Sequence, residues 1–154
     1  MNKKTISLDY ANDLIFELEK AFWDERGKGA RWRLTTVGRE YFKKRCFPLL
    51  QSSEIDNIVP TIERALQSDG VVSRISAQSD GQMLHLRVEG CVHRPVEERM
   101  VTYETKPFTC MMANLVVLAI EEKLDRPAEI AEIKLENDAC HLLLILFDKR
   151  PFGG

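Results

Sequence analysis

The chain has 154 residues, of which 44% are hydrophobic and 30% are charged, and its formal net charge is −2. This composition is typical of one folded globular domain and excludes a disordered or low-complexity protein. The near-zero net charge excludes a general attraction to nucleic acids, and no apolar run reaches the ~20 residues of a membrane span. The chain begins with lysines and an amphipathic segment rather than an apolar signal sequence, so we expect a cytoplasmic protein whose four cysteines are thiols.

Three helices are predicted in the first half of the chain. Apolar residues recur at helical spacing over residues 8–26, and a glycine-containing segment follows them. The threonine pair at 35–36 provides an N-cap for a second helix, and the serine pair at 52–53 provides one for a third. Pro60 lies inside the third pattern, which predicts either a kink or a short helix followed by one that starts at the proline.

Strands are predicted after Val71, where the apolar residues change from helical spacing to alternation. The sequences VVSRISA and QMLHLRVEGCVH are strand-like, and QSDG between them is typical of a turn, so we expect a β-hairpin. Residues 94–108 contain prolines, charges and few apolar side chains, which predicts a partly mobile loop.

A helix over residues 109–123 and a second hairpin are predicted to complete the domain. The helix is apolar nearly all round until Glu121, so it must be buried in its own core or against another subunit. The hairpin consists of AEIAEIKL and ACHLLLILF around ENDA. We therefore expect an α+β fold, with the N-terminal helices packed on an antiparallel sheet built from two hairpins that flank one buried helix.

The strand QMLHLRVEGCVH divides its side chains between two faces. The apolar face holds Leu84, Leu86, Val88 and Val92, and the other face holds His85, Arg87, Glu89, Cys91 and His93. The thiol and the imidazole of Cys91 and His93 have a spacing that could bind zinc, but a half-exposed strand face with scattered polar residues is the simpler interpretation. A bulge at Gly90 would move both side chains to the opposite face.

The apolar helix supplies most of the candidate ligand-binding residues. Met111 and Met112 are adaptable side chains that suit either a ligand pocket or ordinary core packing. Asn114 is the lone polar side chain in the buried part, and it needs a partner from the backbone, from water or from a ligand. The candidate ligand-binding residues are Tyr41, Met111, Met112, Asn114 and Leu115.

The chain carries no familiar catalytic motif, since GxSxG, HExxH and Walker-type sequences are all missing. A cysteine nucleophile would need an activating histidine, and the nominal pairs are Cys91 with His93 and Cys140 with His141. Adjacent strand residues point to opposite faces, which disfavours the second pair. We therefore expect a protein that is not an enzyme.

The segment 35–147 resembles the 4-vinyl reductase domain of bacteria and archaea in its layout. VGREYFKKRCFPLL corresponds to the glycine-bearing helix of that family. IERALQSDGVVSRIS corresponds to a helix that is followed by a glycine and then by a strand. CMMANLVVLAIEEKL stands for the cysteine-led helix, and AEIAEIKLENDACHLLLILF for the closing hairpin. On this basis residues 1–154 are a single domain, with residues 1–34 as an N-terminal helix and loop and residues 148–154 as a tail.

The resemblance implies a small α+β fold, related to the Bet-type subunits of vesicle-tethering complexes, that dimerises and encloses a small apolar ligand. The family includes proteins linked to bacteriochlorophyll synthesis and the aromatic-sensing domains of bacterial activators. The function it implies is a non-catalytic, homodimeric domain that holds an aromatic or tetrapyrrole-like ligand. Two alternatives stay open: an interaction or assembly factor that uses the same fold for dimerisation or tethering, and a reductase in tetrapyrrole metabolism.

The aromatic sensors of that family hold a structural zinc ion with cysteines and an acidic residue. Carried over position by position, this set corresponds to Cys110, Glu132 and Cys140, and Leu135 stands in place of a further cysteine. Three ligands are one short of a usual structural zinc site. The candidates for completing it are Cys91, His93 and His141. We therefore expect that zinc is not bound and that the two matched cysteines are packed thiols.

Overall fold

The computed structural model describes residues 5–30, 37–136 and 138–148. The helices in this part of the chain are α1 (Leu8–Arg26), α2 (Arg39–Tyr41), α3 (Ile55–Ser68), α4 (Arg94–Thr102) and α5 (Met111–Leu124). The strands are β1 (Arg74–Asp80), β2 (Met83–Glu89), β3 (Ala128–Leu135) and β4 (Ala139–Leu146). The short α2 continues as a π-helical turn, Phe42–Cys46, and then as a 3-10 turn, Phe47–Leu49.

The four strands form one antiparallel sheet in the order β1-β2-β4-β3. The predicted α+β class, with a sheet built from two hairpins, is confirmed. The first hairpin turns at Gly81–Gln82, later than the predicted QSDG, and Gly81 has the positive φ of 63° that a type II′ turn needs at this position. We call the face of the sheet that carries the buried side chains of β2 and β4 the inner face, and the opposite face the outer face.

The predicted helix starts are only partly correct. Helix α1 covers the predicted range, and the Ser7 side chain caps its first turn. The N-cap of α3 is Glu54 rather than a serine, although Ser52 Oγ accepts the Glu54 N–H at 3.0 Å. The helix passes through Pro60 without a new start. The predicted N-cap at 35–36 lies outside the described residues.

The predicted loop over residues 94–108 is wrong, because its first part is helix α4. Pro95 lies in the first turn of that helix, where a missing N–H costs nothing. Val96 and Met100 are one turn apart and are both buried against Phe16 of α1. Packing between two helices therefore stabilises a segment that looks too polar to be ordered.

The predicted extension of β2 to Val92 is also wrong, because the strand ends at Glu89. Gly90 follows with φ +66°, and a β-carbon at this position would collide with the side-chain oxygen of Ser73. The chain therefore turns at Gly90 and brings Cys91 against the main core. The end of the strand at this glycine, rather than the β-bulge that was the alternative, redirects the side chains that follow.

The apolar side chains form two cores. The main core lies between the inner face, α3 and α5, and a smaller core between α1 and α4 contains Phe16, Ala30, Val96, Met100 and Phe108. Every residue of α5 from Met112 to Ile120 is buried within this chain, so the chain's own core explains the apolar surface of that helix. None of the described helices is long and apolar enough to cross a membrane.

Candidate ligand-binding cavity

A cavity of about 150 Å³ lies where the two cores meet. Its walls come from α1, α4, the first turn of α5 and the inner face of the sheet. The apolar part of the wall includes Ile15, Val88, Val96, Met112 and Ile133. The polar part includes Glu19, Cys91, His93, Arg94, Glu97, Thr109, Cys110 and Cys140. The cavity wall therefore combines apolar side chains with several weakly acidic groups.

Three cysteine thiols meet at this cavity from separate elements of the fold. Cys110 is the N-cap of α5, Cys140 lies on the inner face of β4, and Cys91 follows the turn at Gly90. Burial raises the pKa of the Cys140 thiol to about 11. Burial, together with the carboxyl group of Glu97, raises the pKa of Cys110 still further. The thiols are therefore protonated at neutral pH and behave as small apolar groups rather than as nucleophiles.

Two carboxyl groups form the acidic end of the cavity. Burial raises the pKa of Glu19 to about 7, and burial with repulsion from Glu19 raises the pKa of Glu97 well above its usual value. The Glu19 Oε2 atom is buried and has no hydrogen-bond partner among the described residues. A buried polar atom without a partner is costly, so the cavity contains an acceptor that a bound molecule could satisfy.

Among the described residues, Arg94 is the cation in the cavity wall, but its guanidinium group is engaged elsewhere. It forms an ion pair with Glu98 at 3.3 Å and donates to the main-chain carbonyl of Glu136. Burial raises the pKa of the Cys140 thiol, and the positive charge of Arg94 offsets only part of that rise. Arg94 therefore holds one side of the cavity in place and leaves the acidic end unneutralised.

His93 is a fixed part of the cavity wall. Its Nδ1 atom lies 2.9 Å from Asn12 Oδ1, and Asn12 Nδ2 donates to the carbonyl of Val92 at 2.8 Å. Burial lowers the pKa of His93, so the imidazole is neutral. Because Asn12 presents an oxygen to Nδ1, we assign the ring proton to that nitrogen. The bond ties α1 to the segment that follows β2.

Two of the five predicted ligand-binding residues, Met111 and Met112, line the cavity. Asn114 is buried, but its amide donates to the carbonyl of Val37 at 3.0 Å, which gives it a structural role. Leu115 lies in the main core, and Tyr41 donates its hydroxyl to Asp69 at 2.8 Å. Tyr41 and Leu115 therefore stabilise helix contacts away from the cavity, whereas Asn114 holds Val37 and Thr109, two residues of the cavity wall, in place.

The predicted metal set is not brought together. Cys110 and Cys140 share the cavity wall, whereas Glu132 is exposed on the outer face of β3. A β-bulge between Ile130 and Glu132 is the reason, because it reverses the face on which the glutamate would otherwise lie. His141 also lies on the outer face, opposite Arg87. No group of three or more His, Cys, Asp or Glu side chains in the described ranges is arranged to hold a metal ion.

The sequence interpretation missed the two cavity carboxyl groups. Glu97 lay in the segment predicted to be a loop, and Glu19 was not among the residues that the sequence singled out. A signal for Glu19 does exist, because it follows Ile15 by four residues and precedes Phe22 by three, which puts it on the apolar side of the helix. Both apolar residues pack against the smaller core.

No protein-family model matches the chain, and no curated protein matches it. The resemblance to the 4-vinyl reductase domain therefore stays a prediction. What the cavity can bind follows from its size, its wall and its unpaired acceptor.

Proposed function

We propose that the protein binds a small, largely apolar molecule in this cavity without transforming it. The observation that carries the proposal is the buried Glu19 Oε2 atom, which lacks a partner among the described residues while the cavity beside it has apolar walls. Ligand sites commonly combine an apolar wall with a few polar groups that orient the ligand. The four cysteines are free thiols, which fits the reducing cytoplasm that the sequence predicts.

The size of the cavity limits the ligand to about one ring. A dry cavity of ~150 Å³ accommodates benzene, whereas sites for drug-sized ligands occupy ~300–1,000 Å³. The present cavity, at about 150 Å³, matches the smaller class. A tetrapyrrole has four linked rings and exceeds this space. Of the ligands that the sequence suggests, a single-ring aromatic compound fits best, and a reductase acting on tetrapyrroles is not favoured.

The polar end of the cavity selects a ligand with a hydrogen-bond donor. Burial and repulsion from Glu19 raise the pKa of Glu97 and so favour its neutral form, whereas Glu19, with its pKa raised to about 7, has both its neutral and its ionised form present near neutral pH. A phenolic hydroxyl pointing at Glu19 would donate to the unpaired oxygen while its ring contacts Val88 and Ile133. A hydrogen bond to a charged group contributes roughly 1.5–3 kcal/mol. We therefore propose a phenol-like ligand.

Among the described residues, the cavity wall presents no activated thiol, which supports a binding role. All three thiols have raised pKa values, so they are poor nucleophiles at neutral pH. His93 uses one ring nitrogen to bind Asn12 and is held at the wall. This bond occupies Nδ1 alone, so the raised pKa values of the thiols, rather than the bond to Asn12, argue against a cysteine nucleophile.

Calorimetric titration with phenol and with toluene tests the proposal, because the two compounds have nearly the same shape and only phenol has a hydrogen-bond donor. We expect phenol to bind at least about tenfold more tightly, which corresponds to ~1.4 kcal/mol. Glu19→Leu should remove this preference. Glu17→Leu, an exposed position on the same helix, should leave it intact. Equal affinity for the two compounds in the wild-type protein, or no binding of either, would refute the proposal.

A further inference from the structure

The two edges of the sheet differ in how they are covered. At the β1 edge, Glu63 Oε2 accepts the Ile75 N–H at 2.8 Å. Beside it, Gln67 Nε2 donates to the Ser73 carbonyl at 2.8 Å. Side chains of α3 therefore satisfy two backbone groups at the start of this edge, which is one way in which proteins hinder the pairing of an edge strand with another chain.

The β3 edge has a different environment. Within the described part of the chain, the backbone of Glu132–Leu135 pairs with β4 and with no other element, and Ala131 is the residue at the β-bulge. A groove of about 820 Å³ runs along this strand, with Trp23, Val101 and Phe108 in its opposite wall. Val101 is 50% exposed, so part of this wall is apolar surface in contact with solvent. Residues 132–135 of this edge therefore have no backbone partner other than β4 among the described residues, and apolar side chains border them.

We propose that β3 pairs with β3 of a second copy of this chain, in antiparallel orientation and with the two-fold axis at Ile133. The sequence AEIKL, residues 131–135, determines this register. With Ile133 facing its own copy, Glu132 of each chain faces Lys134 of the other chain, and the pair occurs twice. Opposite charges that face each other across antiparallel strands are stabilising, and a two-fold interface repeats each contact.

The observed orientation of β3 is compatible with this pairing. Glu132 and Lys134 are both exposed and both lie on the outer face, opposite Leu143 and His141 of β4. Lys134 lies 3.7 Å from Glu136, but both side chains are about half exposed or more, and such surface pairs contribute little. Lys134 is therefore able to turn toward a glutamate of the second copy.

The apolar side chains of the junction lie on the inner side. Ile133 and Leu135 are half-buried and border the groove. A two-fold axis perpendicular to the sheet places the groove walls of both copies on the same side of the joined sheet. Trp23 and Val101 of each chain then border the junction, where the second copy can exclude water from them. The interface is a continuous sheet with charged pairs on its outer face and apolar contacts on its inner face.

Charge reversal tests this register, with sedimentation velocity at micromolar concentrations as the measurement. The wild-type chain should form a dimer. Glu132→Lys and Lys134→Glu each place like charges opposite each other twice, so each should weaken dimerisation by at least about tenfold. The double variant Glu132→Lys with Lys134→Glu restores opposite charges and should restore the dimer. Glu129→Lys, an exposed position outside the paired segment, is the matched control and should have no comparable effect.

The double variant separates the proposed register from general surface-charge effects. A wild-type chain that stays monomeric across the micromolar range overturns the proposal. A dimer that neither single variant weakens, or that the double variant does not restore, also overturns it. Circular dichroism establishes that each variant is folded, which is expected because the altered side chains are exposed. The outcome is independent of whether phenol binds.

Discussion

Glu19 of α1 and Glu97 of α4 face one cavity from two packed helices, and repulsion between them adds to burial in raising the pKa of Glu97. The two residues are far apart in the chain, and each lies beside the smaller core that joins the helices. Two acids placed this close resist simultaneous ionisation, so the cavity holds at least one neutral carboxyl group near neutral pH.

The first prediction concerns the pH dependence of folding stability. Glu19 has an ordinary pKa of 4.5 and a folded-state pKa of about 7, so the unfolded chain loses this proton at lower pH than the folded chain. The stability that depends on this group is fully present below about pH 4.5 and is lost as the pH rises through 7. The loss amounts to up to about 3 kcal/mol.

Urea unfolding of the wild-type protein and of Glu19→Gln, at about pH 5 and about pH 7.5, measures this effect. The amide cannot ionise, so the variant should lose less stability over this interval. His93 contributes with the opposite sign, since its pKa is lowered by burial, but it is unchanged in the comparison. Glu17→Gln is the control. The interpretation fails if the wild type and Glu19→Gln have the same pH dependence.

The second prediction concerns the turn after β2. Gly90→Ala introduces a β-carbon at φ +66° and against the side chain of Ser73, so both backbone strain and steric conflict oppose it. We expect a loss of about 2–4 kcal/mol in the free energy of unfolding. Gly81→Ala is the matched control, because its φ is +63° but no atom lies near the added carbon. The control should lose about 1 kcal/mol, and equal losses would contradict the steric part of this account.

The third prediction concerns the reactivity of the cavity thiols. The pKa of Cys140 rises from 9.0 to about 11, so the thiolate fraction at neutral pH falls about 100-fold. We expect Cys140 and Cys110 to resist iodoacetamide in the folded protein and to react readily in urea. Mass spectrometry of the alkylated protein gives the extent of reaction at each site. Rapid alkylation of either cysteine under native conditions would show that its thiol is not protected.

The fourth prediction concerns the packing of α4 on α1. Met100 is 1% exposed and lies in the smaller core, so Met100→Ala should cost about 2–5 kcal/mol. Glu98→Ala alters a largely exposed side chain of the same helix and should cost less than about 1 kcal/mol. Chemical unfolding measures both. If Met100→Ala were as mild as the control, α4 would not be held by this core.

The local pattern of the sequence was sufficient to predict the main elements of the fold. Helical spacing of apolar residues identified α1, α3 and α5, and alternation identified both hairpins, because these periodicities follow from backbone geometry alone. The alternation also assigned Leu84, Leu86 and Val88 correctly to the inner face. Because the predicted strands form hairpins rather than crossovers, the sequence also predicted the antiparallel sheet and the α+β class.

The candidate site depended on tertiary structure. Helix α4 was missed because its stability comes from Val96 and Met100 packing on α1, a contact between distant segments. Glu132 was placed with the cysteines by the family resemblance, and a β-bulge that a period of two does not reveal turns its side chain to the outer face. Glu19 and Glu97 acquired their raised pKa values only when the helices buried them together. Periodicity is a local property that the sequence by itself determines, whereas burial and the meeting of distant side chains depend on how the whole chain packs.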